Sequence, residues 1–91
     1  MSDKDKKAVA LKYERKKDNA PKIIAKGKGS VAENIIKTAR EYDIYIKEDP
    51  ELVEVLSTLD LYQEIPENLY KAIAEILVFI YKKKKGENIS P

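Results

Sequence analysis

The sequence predicts an α/β domain, a small mixed β-sheet of about three strands packed by three helices. Three features predict it. Ala8 to Tyr13 alternates with a period of two, a Gly- and Ser-punctuated turn opens an apolar stripe of helical period at Val31, and a longer helical stripe runs from Leu69 to Tyr81.

Met1 to Lys7 is charged and reads as a mobile terminus. In the first strand Val9, Leu11 and Tyr13 share one face, and Ala8, Ala10 and Lys12 the other. Glu14 to Ala20 is a charged loop closing on Pro21, which holds Ala20 extended, and Lys22 to Lys26 resumes as a second strand. Gly27 and Gly29 end it. Ser30 and Glu33 have the spacing of a capping box, so a helix is expected from Val31, with Val31, Ala32, Ile35, Ile36, Ala39 and Tyr42 as its apolar stripe. Ile44 to Lys47 then reads as a third strand, making a right-handed crossover unit.

Asp49 caps a short second helix with Pro50 at its first position, running through Leu52, Val55 and Leu56. Ser57 to Ile65 carries no clear periodic signal. Pro66 opens the third and longest helix, through Leu69, Tyr70, Ile73, Ala74, Ile76, Leu77, Ile80 and Tyr81. Val78 and Phe79 widen its stripe, which the core or an apolar strip for a partner would use; core burial is the simpler reason. Gly86 is the expected stop. The domain boundaries are therefore 1–7 for the mobile terminus, 8–85 for the folded unit and 86–91 for a frayed end.

At 91 residues and 10.4 kDa the chain holds one small domain, and with neither cysteine nor histidine it has no thiolate or imidazole metal site and no imidazole-based triad. No signal segment or transmembrane run is present, so a cytoplasmic protein is expected. Its net charge of +2 is segregated. Residues 1–30 carry ten Lys/Arg against four Asp/Glu, residues 31–81 four against eleven, and residues 82–91 four against one. The basic ends, Lys82 to Lys85 above all, admit a nucleic-acid or anionic-surface binder as the alternative function. Solubility explains terminal lysines more simply, and only Tyr13 and Tyr42 supply aromatics near the first basic stretch.

Catalysis has little to work with. Asp49 with Glu51 and Glu64 with Glu67 read as helix-start charges, and Gly27-Lys28-Gly29-Ser30 is too short for a P-loop or dinucleotide fingerprint. The carboxylates are dispersed over several elements. A non-enzymatic protein with no cofactor, metal or catalytic residue is expected.

The runs Ala8-Val9-Ala10-Leu11-Lys12-Tyr13, Ala20-Pro21-Lys22-Ile23-Ile24-Ala25-Lys26-Gly27 and Gln63-Glu64-Ile65-Pro66-Glu67-Asn68-Leu69-Tyr70-Lys71-Ala72-Ile73-Ala74-Glu75-Ile76-Leu77 resemble the cytoplasmic C-terminal domain of the FlhB/YscU export-switch family of flagellar and virulence type III secretion machines. The resemblance spans about residues 8 to 82. Family members cut themselves at an Asn-Pro-Thr-His motif, the Asn side chain attacking its own carbonyl carbon. Here Asp3-Lys4-Asp5-Lys6 stands at that place, and Asn19, Asn34, Asn68 and Asn88 are followed by Ala20, Ile35, Leu69 and Ile89, so no Asn-Pro bond exists. Self-cleavage is not expected. The chain looks like a free-standing form of the fragment after the cut, Met1 suggesting it is encoded so. The missing strand would leave a sheet edge for a partner strand.

The resemblance implies a substrate-binding patch at Ala20, Pro21, Ala74 and Leu77, where a short apolar signal of early rod and hook substrates would be held. From the residues alone, Ala74 and Leu77 read as core and Pro21 as a strand-start rigidifier. The implied partners are early flagellar rod and hook-type export substrates, export-gate proteins and a membrane-embedded FlhB relative, met at the cytoplasmic face of the export apparatus. Ala20→Glu is expected to abolish capture and leave the fold intact. Two departures stand out: Asp60-Leu61-Tyr62-Gln63 replaces the usual Glu-Ile-Gly-Gln one residue short, and Asp49-Pro50-Glu51 stands where relatives often have two prolines.

Overall fold

Two strands form the sheet: β1 (Lys7–Lys12) and β2 (Lys22–Lys28), antiparallel neighbours in a computed structural model that describes residues 6–14 and 16–89, with side chains given up to Lys82. The opening residues 1–5, including the Asp3-Lys4-Asp5 stretch, and residues 90–91 lie outside the described residues, as do the side chains of Lys83 to Lys85. The register pairs Lys7 with Lys28 and Ala10 with Ala25, then shifts so that Leu11 faces Ile23. Ile24 is thus the extra residue of a β-bulge, and it is turned 42% exposed to solvent.

Directly paired residues share a face, so the two faces of the hairpin can be read off this register. Ala8, Ala10, Ala25 and Gly27 make a face of small side chains, on which helix α1 (Ser30–Glu41) docks with Ala32 fully buried. The fit is tight at Gly27. The opposite face carries Val9, Leu11 and Ile23 into the main core, formed by Ala20, Ile23, Leu56, Ile65 and Ile73. This confirms the alternation expected of β1. Lys26 shares that face, and its ammonium donates to the carbonyls of Ser57 (3.3 Å) and Leu59 (2.6 Å), tying β2 to the end of helix α2 (Pro50–Leu56). An ion pair between Lys7 and Glu54 ties β1 to the same helix.

The helix starts obey different rules. At α2 the Asp49 carboxylate accepts the Leu52 N–H at 3.1 Å with Pro50 next in line, the cap expected from sequence. At α1 the Ser30–Glu33 capping box does not form. Gly29 takes the cap position with φ 63 and ψ −127, a backbone state open to glycine, while its N–H donates to the Lys6 carbonyl at 2.8 Å. Ser30 is already helical. The third helix, α3 (Tyr70–Ile89), follows a 3-10 turn at Glu67–Leu69 and runs through Gly86, which does not end it.

The third strand expected at Ile44 to Lys47 is absent, so the sheet has two strands and no crossover unit among the described residues. Asp43 ends α1 at φ 59, the Ile44 N–H turns back to the Ala39 carbonyl at 2.8 Å, and Tyr45 packs on Phe79 with ring centroids 5.1 Å apart. The far edge of β2 is instead covered by residues 62–65. Ile23 N–H donates to Gln63 O (3.0 Å), Tyr62 N–H to Ile23 O (2.6 Å) and Ile65 N–H to Pro21 O (2.9 Å), around a Lys22–Glu64 bridge. On its other side β1 has no strand neighbour among the described residues.

Tyr62 sits where the resemblance has glycine, and its φ of 66 shows why glycine suits that place. A left-handed conformation costs an L-residue roughly 1 to 2 kcal/mol, and Tyr62, 72% exposed, has little packing to offset it. Tyr62→Gly should therefore raise stability by about 1 kcal/mol, after allowing for the looser unfolded chain, seen as a higher urea midpoint at unchanged slope. A lowered midpoint would mean that the phenol ring stabilises more than the backbone strains.

Candidate apolar groove

The loop between β1 and β2 is built to bring Ala20 and Pro21 against α3. Asp18 organises it: one carboxylate oxygen accepts the Glu14 N–H at 2.8 Å, the other lies 3.7 Å from the Lys22 ammonium, and the Glu14 carbonyl accepts from Lys17 N–H (3.0 Å) and Asp18 N–H (2.7 Å). Pro21 has no N–H to satisfy, and its carbonyl is taken by Ile65. Pro21 thus enters the core with no donor of its own to satisfy and with its carbonyl paired.

On the facing side, Tyr70, Ile73, Ala74 and Leu77 follow the i, i+3, i+4, i+7 spacing of one helix face. Between the two banks lies a groove of about 170 Å³, lined by Tyr13, Asn19, Ala20, Pro21, Ile65, Tyr70, Ile73, Ala74 and Leu77. All four residues singled out in the sequence meet there. They do not contribute alike. Ala20 is 2% exposed and Pro21 is buried, with Ile65 and Ile73 beside them as floor; Leu77 is half-buried and Ala74 is open to solvent. The burial of Ala20 corrects one expectation: a glutamate there would stand in the core, so Ala20→Glu cannot leave the fold intact.

Five lining residues were not singled out from sequence. Tyr70 and Ile73 were visible in the helical spacing, and Tyr13 in the face it shares with Val9 and Leu11. Asn19 and Ile65 carry no periodic signal, since their place depends on how two irregular segments meet β2.

At about 170 Å³ the hollow is well below the roughly 300 to 1,000 Å³ of a small-molecule site, and its floor has no acid, base or nucleophile. Its size and apolar floor match a single apolar side chain. A wider concavity of about 440 Å³ lies between Lys6 and α1, but Glu33, Lys37, Arg40 and Glu41 line it with both signs of charge and Ile36 is its one apolar residue. Among the described residues no cluster of three or more acidic residues could hold a metal ion, and no helix is long and apolar enough to cross a membrane.

The sequence profile of the FlhB HrpN YscU SpaS Family matches residues 5–80. The chain is 53% identical over 77 residues to YlqH of Bacillus subtilis, covering 85% of this chain and 83% of that protein. It is 43% identical over 79 residues to the flagellar biosynthetic protein FlhB of Aquifex aeolicus, covering 86% of this chain but 23% of the longer relative. Among solved structures, the cytoplasmic domain of FlhB from Shewanella putrefaciens superposes with a TM-score of 0.76 at 43% identity, over 82% of this chain and 61% of that one. The PscU C-terminal domain superposes with a TM-score of 0.76 at 25% identity, over 81% and 95%. The shared hairpin, helices and order of motifs make this chain a member of the FlhB/HrpN/YscU/SpaS family, matching the cytoplasmic C-terminal domain of its FlhB members.

Proposed function

We propose that the chain is a non-enzymatic component of a flagellar or related type III export apparatus, one that briefly holds the apolar signal of early rod and hook-type substrates in the groove between Ala20–Pro21 and α3. One observation carries the reading. Ala20 and Pro21 come from a loop, Ala74 and Leu77 from the last helix, and the fold gathers all four around a single apolar hollow. Family membership supports the export setting, since relatives that share this domain include flagellar biosynthetic proteins. A hollow that seats little more than one side chain binds modestly and releases readily, as a protein that passes substrates onward requires. Export-gate proteins and a membrane-embedded FlhB relative are the further partners at the cytoplasmic face. With no Asn-Pro bond in the sequence, the chain acts without self-cleavage.

Photocrosslinking in the native cell tests this, with the probe at Ala74 because that position is open to solvent. Rod, hook or export-gate proteins recovered from this probe, and not from one on the outer face of α1, are the expected result. Equal recovery from both probes would remove the groove from the account.

A further inference from the structure

We propose that the outer face of α3, with the lysine run Lys82 to Lys85 that it carries, docks the domain on an anionic lipid surface. The inference is independent of the groove and of capture.

The sequence sets an unbroken apolar run, Ile76 to Tyr81, directly before four lysines. A helix packed on one side needs an apolar stripe of about 100°, and Ile73, Ile76 and Leu77 supply it against the main core. Val78 and Phe79 lie outside that stripe. Each is 50% exposed. Leu77 is the last residue of α3 against the main core, yet the helix runs on to Ile89, about 18 Å further. Lys71, Glu75, Val78 and Lys82 have the i, i+4, i+7, i+11 spacing of one helix face, and all four are exposed. Lys85 continues that spacing. Phe79 borders the face three positions before Lys82, and its ring meets Tyr45 of the segment after α1. The face turned away from the core thus has an apolar centre followed by cations, with Glu75 as the acid at its other end.

The lysines ask for an anionic partner, and the apolar residues choose among such partners. A nucleic acid would need a free aromatic face for its bases, whereas Phe79 already packs on Tyr45 and Val78 has no ring to offer. A lipid surface uses both kinds of residue at once. Val78 and Phe79 can sink below the headgroups while the lysines meet the phosphates, the arrangement of a helix lying in the interface plane. Among the described residues no helix is long and apolar enough to cross a membrane, so the contact is with the surface. Charge fixes which end docks. Residues 31–81 carry four Lys/Arg against eleven Asp/Glu and would be repelled, which confines the approach to the lysine end of α3.

The test is co-sedimentation of the full chain with vesicles of phosphatidylcholine, alone or mixed with phosphatidylglycerol at about 7:3. The chain should sediment with the mixed vesicles and not with the neutral ones, and less so as salt rises. Replacing Lys82 to Lys85 by glutamine should weaken binding by about a hundredfold or more, each lysine contributing about fivefold. Val78→Ser and Phe79→Ser should each weaken it by about threefold to tenfold, and Glu75→Gln should tighten it by about threefold. Thermal melts by circular dichroism check that each variant folds; should Phe79→Ser melt early through loss of its contact with Tyr45, Val78→Ser decides. No binding to the mixed vesicles, equal binding to the neutral ones, or a glutamine variant that binds like wild type overturns the inference. If the glutamine variant is released while Val78→Ser and Glu75→Gln bind like wild type, the lysines act as a bare tether and the outer face is removed from the account. If poly-uridylate at equal phosphate strips the chain from the mixed vesicles, the partner is a nucleic acid and the lipid assignment falls.

Discussion

Glutamate at position 20 should unfold the domain, and glutamate at position 74 should leave it folded but unable to hold an apolar ligand. Ala20 is 2% exposed and packs with Ile23, Leu56, Ile65 and Ile73, so a carboxylate there is larger than its site and has no partner. Burying an unpaired charge costs several kcal/mol, against a total stability on the order of 5 to 10 kcal/mol for a domain of this size. Ala74 faces solvent on the outer bank of the same groove. Exchanging alanine for glutamate on an exposed helix face costs only a few tenths of a kcal/mol, while it places a charge at the mouth of an otherwise uncharged hollow. Circular dichroism should show a lost cooperative transition for Ala20→Glu and a nearly unchanged one for Ala74→Glu. A folded Ala20→Glu protein would show that the loop can swing out of the core and that the groove has no fixed floor.

The second large effect is expected at Gly27, where helix α1 meets the sheet. A Cβ there would stand 2.2 Å from Val31 Cγ1, 2.8 Å from Val31 Cβ and 3.2 Å from the Ala32 backbone nitrogen. Valine is β-branched and stiff, so it cannot turn aside without moving the first turn of α1. Gly27→Ala should cost about 1 to 3 kcal/mol as overpacking does, read as a lower urea midpoint at unchanged slope. Val31→Ala in the same chain should restore only part of the loss, since it removes the Cγ1 contact but keeps the Cβ at 2.8 Å. A neutral Gly27→Ala would mean that α1 does not lie as close to β2 as its buried Ala32 requires.

The parts of the fold legible in the sequence were those fixed by local pattern. Val9 and Leu11 turn to the core because a strand alternates, and Asp49-Pro50 starts α2 because carboxylate and ring each suit their place. The parts that were not legible depend on distant segments. Ile44-Tyr45-Ile46 has strand chemistry, but Asp43 closes α1 and Phe79 takes Tyr45, while the edge of β2 goes to Gln63 and Glu64. Ser30 and Glu33 spell a capping box, but Gly29 is held by Lys6 and takes the cap position itself. The groove divides in the same way. Its helix bank is written in the spacing from Tyr70 to Leu77, whereas Ala20 and Pro21 follow from family resemblance alone, and their burial depends on Ile65, whose N–H donates to the Pro21 carbonyl from a distant segment.

The central claim is that this groove captures an apolar segment by burial and not by charge. Its most direct test is the binding of a purified N-terminal segment from a rod or hook protein of the same cell to wild type and to Ala74→Glu, each at low and high salt. Binding that is lost in Ala74→Glu and nearly insensitive to salt in the wild type is the predicted result. Binding that survives Ala74→Glu, or that falls steeply with salt as contacts to the terminal lysines would, contradicts it.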